Sequence, residues 1–235
     1  MKQIMRIPLM GLALAVLAGC QRTPPTDTVA LVDVTQSIER DGTLDEFKVV
    51  DDLVDRMQRG DSLTVIPITG NAMSETPGHI LRFTAPTERQ AYDYDLVTFR
   101  EQAHQSIQAM QNAAFVSPSK HTDILGALDV AKQELEASPP RDMKQLIVMS
   151  DFVEDDGAYR FTVDKALADS AVAQKLAGRL QAEHAFDLRN IHVSLSAIQS
   201  KDLRSICPER QRALREFWKR YFGPISNAEI RITGS

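Results

Sequence analysis

From Thr28 to Phe222, short unbroken runs of apolar and β-branched residues alternate with longer segments whose apolar side chains recur at helical spacing. Thr28-Val29-Ala30-Leu31-Val32-Asp33 shows no polar alternation, as expected of a strand buried on both faces. The next segment places Leu44, Phe47, Val50, Leu53, Val54 and Met57 on one helical stripe, opened by a Thr43/Glu46 capping box and closed by Gly60. Ser62 to Ile68 predicts a second strand and Ile80 to Phe83 a short edge strand. Leu96, Phe99, Ala103, Ile107 and Met110 trace another helix. Three more units follow: helix 123–136 with strand 145–150, helix 163–181 with strand 191–198, and helix 208–222 with a last strand 229–232. Parallel strands need crossover helices, so this order implies an α/β fold with a mainly parallel central sheet and helices on both faces. No internal repeat or Pro/Gly/Ser-rich stretch divides the segment, and residues 28–235 read as one domain.

The first nineteen residues follow other rules. Lys2 and Arg6 are their only charges, and an apolar run from Ile7 to Ala18 is interrupted only by Pro8 and Gly11. A spanning helix needs about 20 apolar residues, so a basic start, a short apolar run and a small-residue exit describe a secretion signal over 1–19. The run ends Leu17-Ala18-Gly19-Cys20, which resembles the bacterial lipobox. That resemblance implies cleavage before Cys20, lipid on its sulfur, and a tether over residues 20–27 in which Pro24-Pro25 favours extended backbone. Several acyl chains on one residue anchor stably where one does not. The implied location is the cell envelope, lipid-anchored and facing the periplasm, and Gln21 after the cysteine resembles an outer-membrane sorting signal rather than an inner-membrane one. Loss of residues 1–19 would leave 216 of 235 residues, and loss of Lys2 and Arg6 would take the formal charge from −5 to −7. Such a charge gives no support to phosphate-backbone binding, so no nucleic-acid partner is expected. Cys207 would be the remaining thiol, expected as a partly buried small hydrophobe next to Pro208. No CxxC or paired Cys/His pattern suggests zinc.

In an open α/β sheet, ligands bind beyond the carboxyl ends of the strands near the switch in strand order. The first strand leaves the sheet as Asp33-Val34-Thr35-Gln36-Ser37, the strand over 145–150 leaves it as Ser150-Asp151, and Thr122-Asp123 opens a helix between them. Asp33, Thr35, Ser37, Thr122 and Asp151 are therefore expected at one edge. Two carboxylates and three hydroxyls form a hard-oxygen set suited to Mg²⁺, Mn²⁺ or Ca²⁺.

At these positions the chain resembles a von Willebrand factor A (vWA) domain. Its metal-ion-dependent adhesion site is written D-x-S-x-S, then a Thr in a later loop, then an Asp after the fourth strand. Here these read D33-V-T35-Q-S37, Thr122 and S150-D151. The resemblance implies a Rossmann-like sheet with one short antiparallel edge strand. It implies Thr35 and Ser37 as direct ligands, Thr122 as a direct or water-mediated one, and Asp33 and Asp151 acting mostly through water or through those hydroxyls. It further implies that a Glu or Asp of an envelope partner completes the coordination. Two departures stand out: Thr35 in place of Ser keeps the ligating oxygen, and Phe152-Val153 replaces the usual Gly, which would reshape the rim.

Strand-end Asp, Thr and Ser also cap turns and helices, and D-x-[ST]-x-S alone reads as structural; the weight lies in three elements in order. Asp123, Glu154 and Asp155 make the face acidic. A solvated loop is the plain reading, and the sharper one has Glu154 or Asp155 occupying the open coordination position in competition with a partner. Leu214, Phe217, Trp218, Tyr221 and Phe222 form an apolar stripe expected to pack on the sheet. Among five histidines only His121 neighbours the site. No G-x-S-x-G, P-loop or G-x-G-x-x-G occurs, so catalysis is not expected. Two other readings stand beside metal-dependent binding. One is a Mg²⁺-dependent phosphohydrolase with Asp33 as phosphoryl acceptor, weakened because Thr35 stands where the haloacid dehalogenase-like pattern D-x-D-x-[TV] has a second carboxylate. The other is a metal-free interaction scaffold.

Overall fold

The structure, a computed structural model, describes residues 24–38, 45–87, 92–139, 143–184 and 187–223. The apolar leader, Cys20, Thr43 and the strand expected over 229–232 lie outside the described residues. Five strands, β1 (Thr26–Asp33), β2 (Ser62–Ile68), β3 (Leu81–Thr84), β4 (Met143–Ser150) and β5 (Ile191–Ala197), form one sheet in the order β3-β2-β1-β4-β5. β1 pairs in parallel with β2 and β4, and β4 with β5, while β3 runs antiparallel to β2. The fold is thus α/β, with a mainly parallel sheet and one short antiparallel edge strand. The chain builds outward from β1 to β3, then restarts at β4 on the other side of β1. The switch in strand order therefore falls between β1 and β4.

Alternation along each strand divides the core in two. Val29 and Leu31 of β1, Ile66 and Ile68 of β2, and Leu146 and Val148 of β4 face one side, where α4 (Ile124–Ala137), α5 (Ser170–His184) and α7 (Pro208–Phe222) cover them. Ala30 and Val32, Leu63 and Val65, and Ile147 and Met149 face the other, under α1 (Glu46–Arg56) and α3 (Tyr92–Val116). Because β1 is sandwiched between strands and between helix layers, its run needed to be apolar at every position. The stripe on α7 is buried as expected, packed in the first of these cores beside α5.

Several local expectations are corrected. Asp45 is the N-cap of α1, its carboxylate accepting from the amides of Phe47 and Lys48, both at 3.1 Å. An Asp cap starts this helix where a Thr43 box was expected, and α1 ends four residues before Gly60, which turns with φ 79°. α5 starts at Ser170 rather than near 163, because residues 160–169 form turns and a short 3₁₀ helix (Lys165–Leu167) held by Arg210, whose guanidinium donates to the carbonyls of Phe161 (3.1 Å) and Asp164 (2.6 Å). Thr26 and Asp27, expected in the tether, already belong to β1. Two short helices had no periodicity to reveal them, α2 (Ala72–Glu75) and α6 (Lys201–Ser205). Cys207 is a free, exposed thiol rather than a partly buried one, because it sits at the cap position of α7 with the helix turning inward after it. Among the described residues no helix is long and apolar enough to cross a membrane.

Candidate metal centre

β1 and β4 deliver their last carboxylates to the same point beyond the sheet edge. Asp33 closes β1 and is fully buried; its Oδ1 accepts from the Thr35 hydroxyl (2.6 Å) and amide (3.1 Å). Its Oδ2 accepts from the Ser150 hydroxyl (2.6 Å) at the end of β4. Thr35 Oγ1 lies 3.1 Å from Ser37 Oγ, and Ser37 Oγ reaches Asp151 Oδ2 at 3.3 Å. Asp151 Oδ1 accepts from the Val153 amide at 2.8 Å. Asp33, Thr35, Ser37 and Asp151, expected to converge, are therefore joined in one chain of oxygen contacts across the switch point. The loop that follows β1 is fixed by backbone bonds on both sides: the Gln36 amide donates to Ser119 O (2.8 Å) and the Lys201 amide to Ser37 O (3.1 Å).

Thr122 reaches the same edge by another route. It is buried, and its amide and carbonyl pair with those of Asp155 at 3.1 and 2.8 Å. Its hydroxyl joins none of the side-chain hydrogen bonds that link the other four.

The chemistry of the set is that of closely spaced oxygens. If the Thr35 proton goes to Asp33 and the Ser37 proton to Asp151, the 3.1 Å contact between the two hydroxyl oxygens has no proton in it, and lone pairs face one another. Burial first, and the neighbouring Asp33 charge second, push the Asp151 carboxyl up to about 7, with the Ser200 hydroxyl and Val153 amide pulling the other way. Two buried carboxylates and hydroxyls with converging lone pairs fit a hard divalent cation. Asp33, Thr35, Ser37 and Asp151 would hold it, with Thr122 alongside, and the ion would supply positive charge to the set.

The residue after Asp151 carries strain. Phe152 has φ 62°, the left-handed region, where a side chain costs about 1–2 kcal/mol. Phe152 stands where the resemblance has Gly, in a backbone region that glycine favours. The aromatic stripe of α7 holds it: Trp218 Nε1 donates to Phe152 O at 2.8 Å and the two rings lie 5.7 Å apart. Beside Asp151 and Phe152 opens a cavity of about 410 Å³, lined also by Gln199, Arg204, Arg215 and Trp218.

The acidic residues expected at the rim are otherwise engaged. Glu154 is fully buried and turned to α4, where its Oε2 accepts from the amides of Ile124 (3.0 Å) and Leu125 (3.2 Å). Asp123 caps the same helix through Gly126 N (2.7 Å) and accepts from Ala72 N (2.9 Å). A β-carbon at position 126 would collide with this carboxylate, so the cap requires Gly. Burial raises both carboxyls, most strongly Glu154. Asp155 faces His121 and Arg160, each at 3.3 Å. Ser150 and Ser200 were missed. Ser150 was legible within its Ser-Asp pair; Ser200, fully buried near Asp151, follows β5 with no motif to mark it.

No protein-family model matches the chain, and no curated protein matches it in sequence. Solved structures do resemble it. The PilB minor pilin from Streptococcus sanguinis superposes with a TM-score of 0.51 at 10% identity, over 90% of this chain and 58% of that one. A von Willebrand factor type A protein from Catenulispora acidiphila gives 0.45 at 15% identity, over 90% and 39%. The open-conformation pilus adhesin SpaC from Lactobacillus rhamnosus GG gives 0.47 at 12%, over 88% and 27%. The chain spans less than two thirds of the length of each. At these identities the likeness concerns the fold alone.

Proposed function

We propose that this protein is a vWA-like binding module that holds a divalent cation, Mg²⁺ or else Mn²⁺ or Ca²⁺, at Asp33, Thr35, Ser37, Thr122 and Asp151, and through it takes a Glu or Asp side chain of a protein partner. The observation that carries this reading is the continuous set of oxygen contacts across the switch point, where two buried carboxylates are joined through the Thr35 and Ser37 hydroxyls. Asp33 and Asp151 set the charge, while Thr35 and Ser37 present neutral oxygens, leaving the set short of the donors that would satisfy an ion alone. A carboxylate from outside completes it. The adjoining cavity offers room for the residue next to that carboxylate, with Arg204 and Arg215 favouring an acidic stretch. The role proposed is binding rather than catalysis. The lipobox-like Cys20 supports a lipid-anchored envelope location, and the minor pilin that shares the fold is in keeping with work outside the cytoplasm.

Calorimetric titration of Mg²⁺ and Mn²⁺ into the full chain, with Asp33→Ala as control, tests the first half. Saturable heat lost in the variant is expected, and no heat or thermal shift in either protein would refute it. Affinity capture from envelope extract with Mg²⁺ against chelator tests the second half, the expectation being a partner retained only with the metal.

A further inference from the structure

A second oxygen cluster lies where the loop after β4 meets the start of α4, and it does not depend on the proposed partner-binding role. Asp123, Glu154 and Asp156 each bring one carboxylate oxygen to within 4.8 Å of the others. Acidic clusters are common on surfaces, but this one has an unusual member. Glu154 is fully buried; its Oε2 is spent on two amides of α4, while its Oε1 is buried with no hydrogen-bond partner. A buried carboxylate oxygen without a donor is costly, and native structures seldom leave one without a partner. Asp123 is nearly buried, and Asp156 is half-buried at the mouth with its Oδ1 bound to the amides of Ala158 (2.8 Å) and Tyr159 (2.7 Å).

We propose that Asp123, Glu154 and Asp156 form a second divalent-cation site, suited to Ca²⁺. Three carboxylates are hard ligands, and their spread suits oxygens about 2.3–2.6 Å from Ca²⁺ better than the tighter octahedron of Mg²⁺ at about 2.0–2.1 Å. The ion joins the loop after β4 to the start of α4. Between these lie Thr122 and Asp155, already paired by two backbone hydrogen bonds, so the site fixes the loop that carries Thr122.

The test is calorimetric titration of Ca²⁺ into the full chain carrying Asp33→Asn, which disables the first site. One Ca²⁺ is expected to remain bound, and adding Asp156→Asn or Glu154→Gln should weaken it at least tenfold. Asp156→Asn keeps Oδ1 for the Ala158 and Tyr159 amides, and an unchanged melting temperature in chelator verifies folding. Absence of Ca²⁺ binding in the Asp33→Asn chain, or full binding after Asp156→Asn, overturns the proposal. Mg²⁺ binding by Asp156→Asn alone reads the first site separately, so that either proposal can fail without the other.

Discussion

Two acidic sets share one edge of the sheet and treat their carboxylates differently. Asp33 and Asp151 meet mainly hydroxyls, from Thr35, Ser37, Ser150 and Ser200. Asp123 and Glu154 meet backbone amides at the start of α4 and at Ala72. A hydroxyl can rotate and exchange donating for accepting, so the first set can turn its lone pairs to a cation without breaking the fold. An amide can only donate and belongs to the helix, so the second set is part of the scaffold before it binds anything. The pair teaches that buried carboxylates at one strand edge can be held either by groups free to change partners or by groups fixed in the fold, and that the two differ in what their removal does to stability.

Substitution should separate the two sets by size and by sign. At the rim of the first, Phe152→Gly removes about 1–2 kcal/mol of left-handed strain but also a buried ring, whose loss costs about 3–5 kcal/mol. A net loss of about 2–3 kcal/mol is expected in urea denaturation; a gain would mean that the strain outweighs the packing against Trp218. In the second set, Glu154→Ala strands two buried amides and relieves one buried carboxylate, for a net loss of about 2 kcal/mol in chelator. Glu154→Gln retains the accepting oxygen and should lose less than half as much. Equal losses in the two variants would argue against a capping role.

The first set answers in the opposite direction. Asp33→Asn keeps an oxygen for Thr35 and turns an amide to Ser150, while removing the charge that opposes Asp151. In chelator its stability should stay within about 1 kcal/mol of the parent or exceed it, yet the thermal shift produced by Mg²⁺ should vanish. A large loss in chelator would place Asp33 with the scaffold carboxylates and erase the contrast.

The same contrast explains what could be read in advance. The sheet was legible because β1, β2 and β4 carry short apolar runs and β5 alternates apolar and polar residues, and the convergence of Asp33, Thr35, Ser37 and Asp151 because these residues lie at or just beyond the ends of β1 and β4. Thr122 shows the limit of that rule: sequence order brings it to the edge but does not aim its hydroxyl. Glu154 looked like a surface charge in a run of three acids. Its burial depends on α4 presenting two amides from 29 and 30 residues away, which no local pattern encodes. Phe152 likewise read only as a reshaped rim, because the Trp218 that holds it is 66 residues distant.

The smallest effect expected concerns how α4, capped by the second set, is tied at its middle to α5. His184 lies against Asp129 of α4, with Nδ1 to Oδ2 at 2.8 Å, and this hydrogen bond raises the imidazole above its usual value of 6.5 despite opposing burial. A raised folded-state value means that the stabilisation is complete below about 6.5 and is lost as pH rises through the folded value. His104 does the same on the opposite helix layer, between α3 and Asp51 and Asp55 of α1. Both pairs are partly exposed, so each contributes roughly 0.2–1 kcal/mol. The difference in urea midpoint between parent and His184→Gln should therefore be largest near pH 5.5 and shrink by pH 8.5, with His104→Gln behaving alike. A difference that grew with pH would mean that the neutral ring, and not the imidazolium, makes the contact. The joint between α4 and α5 would then be indifferent to the charge that distinguishes it from the caps at the head of the same helix.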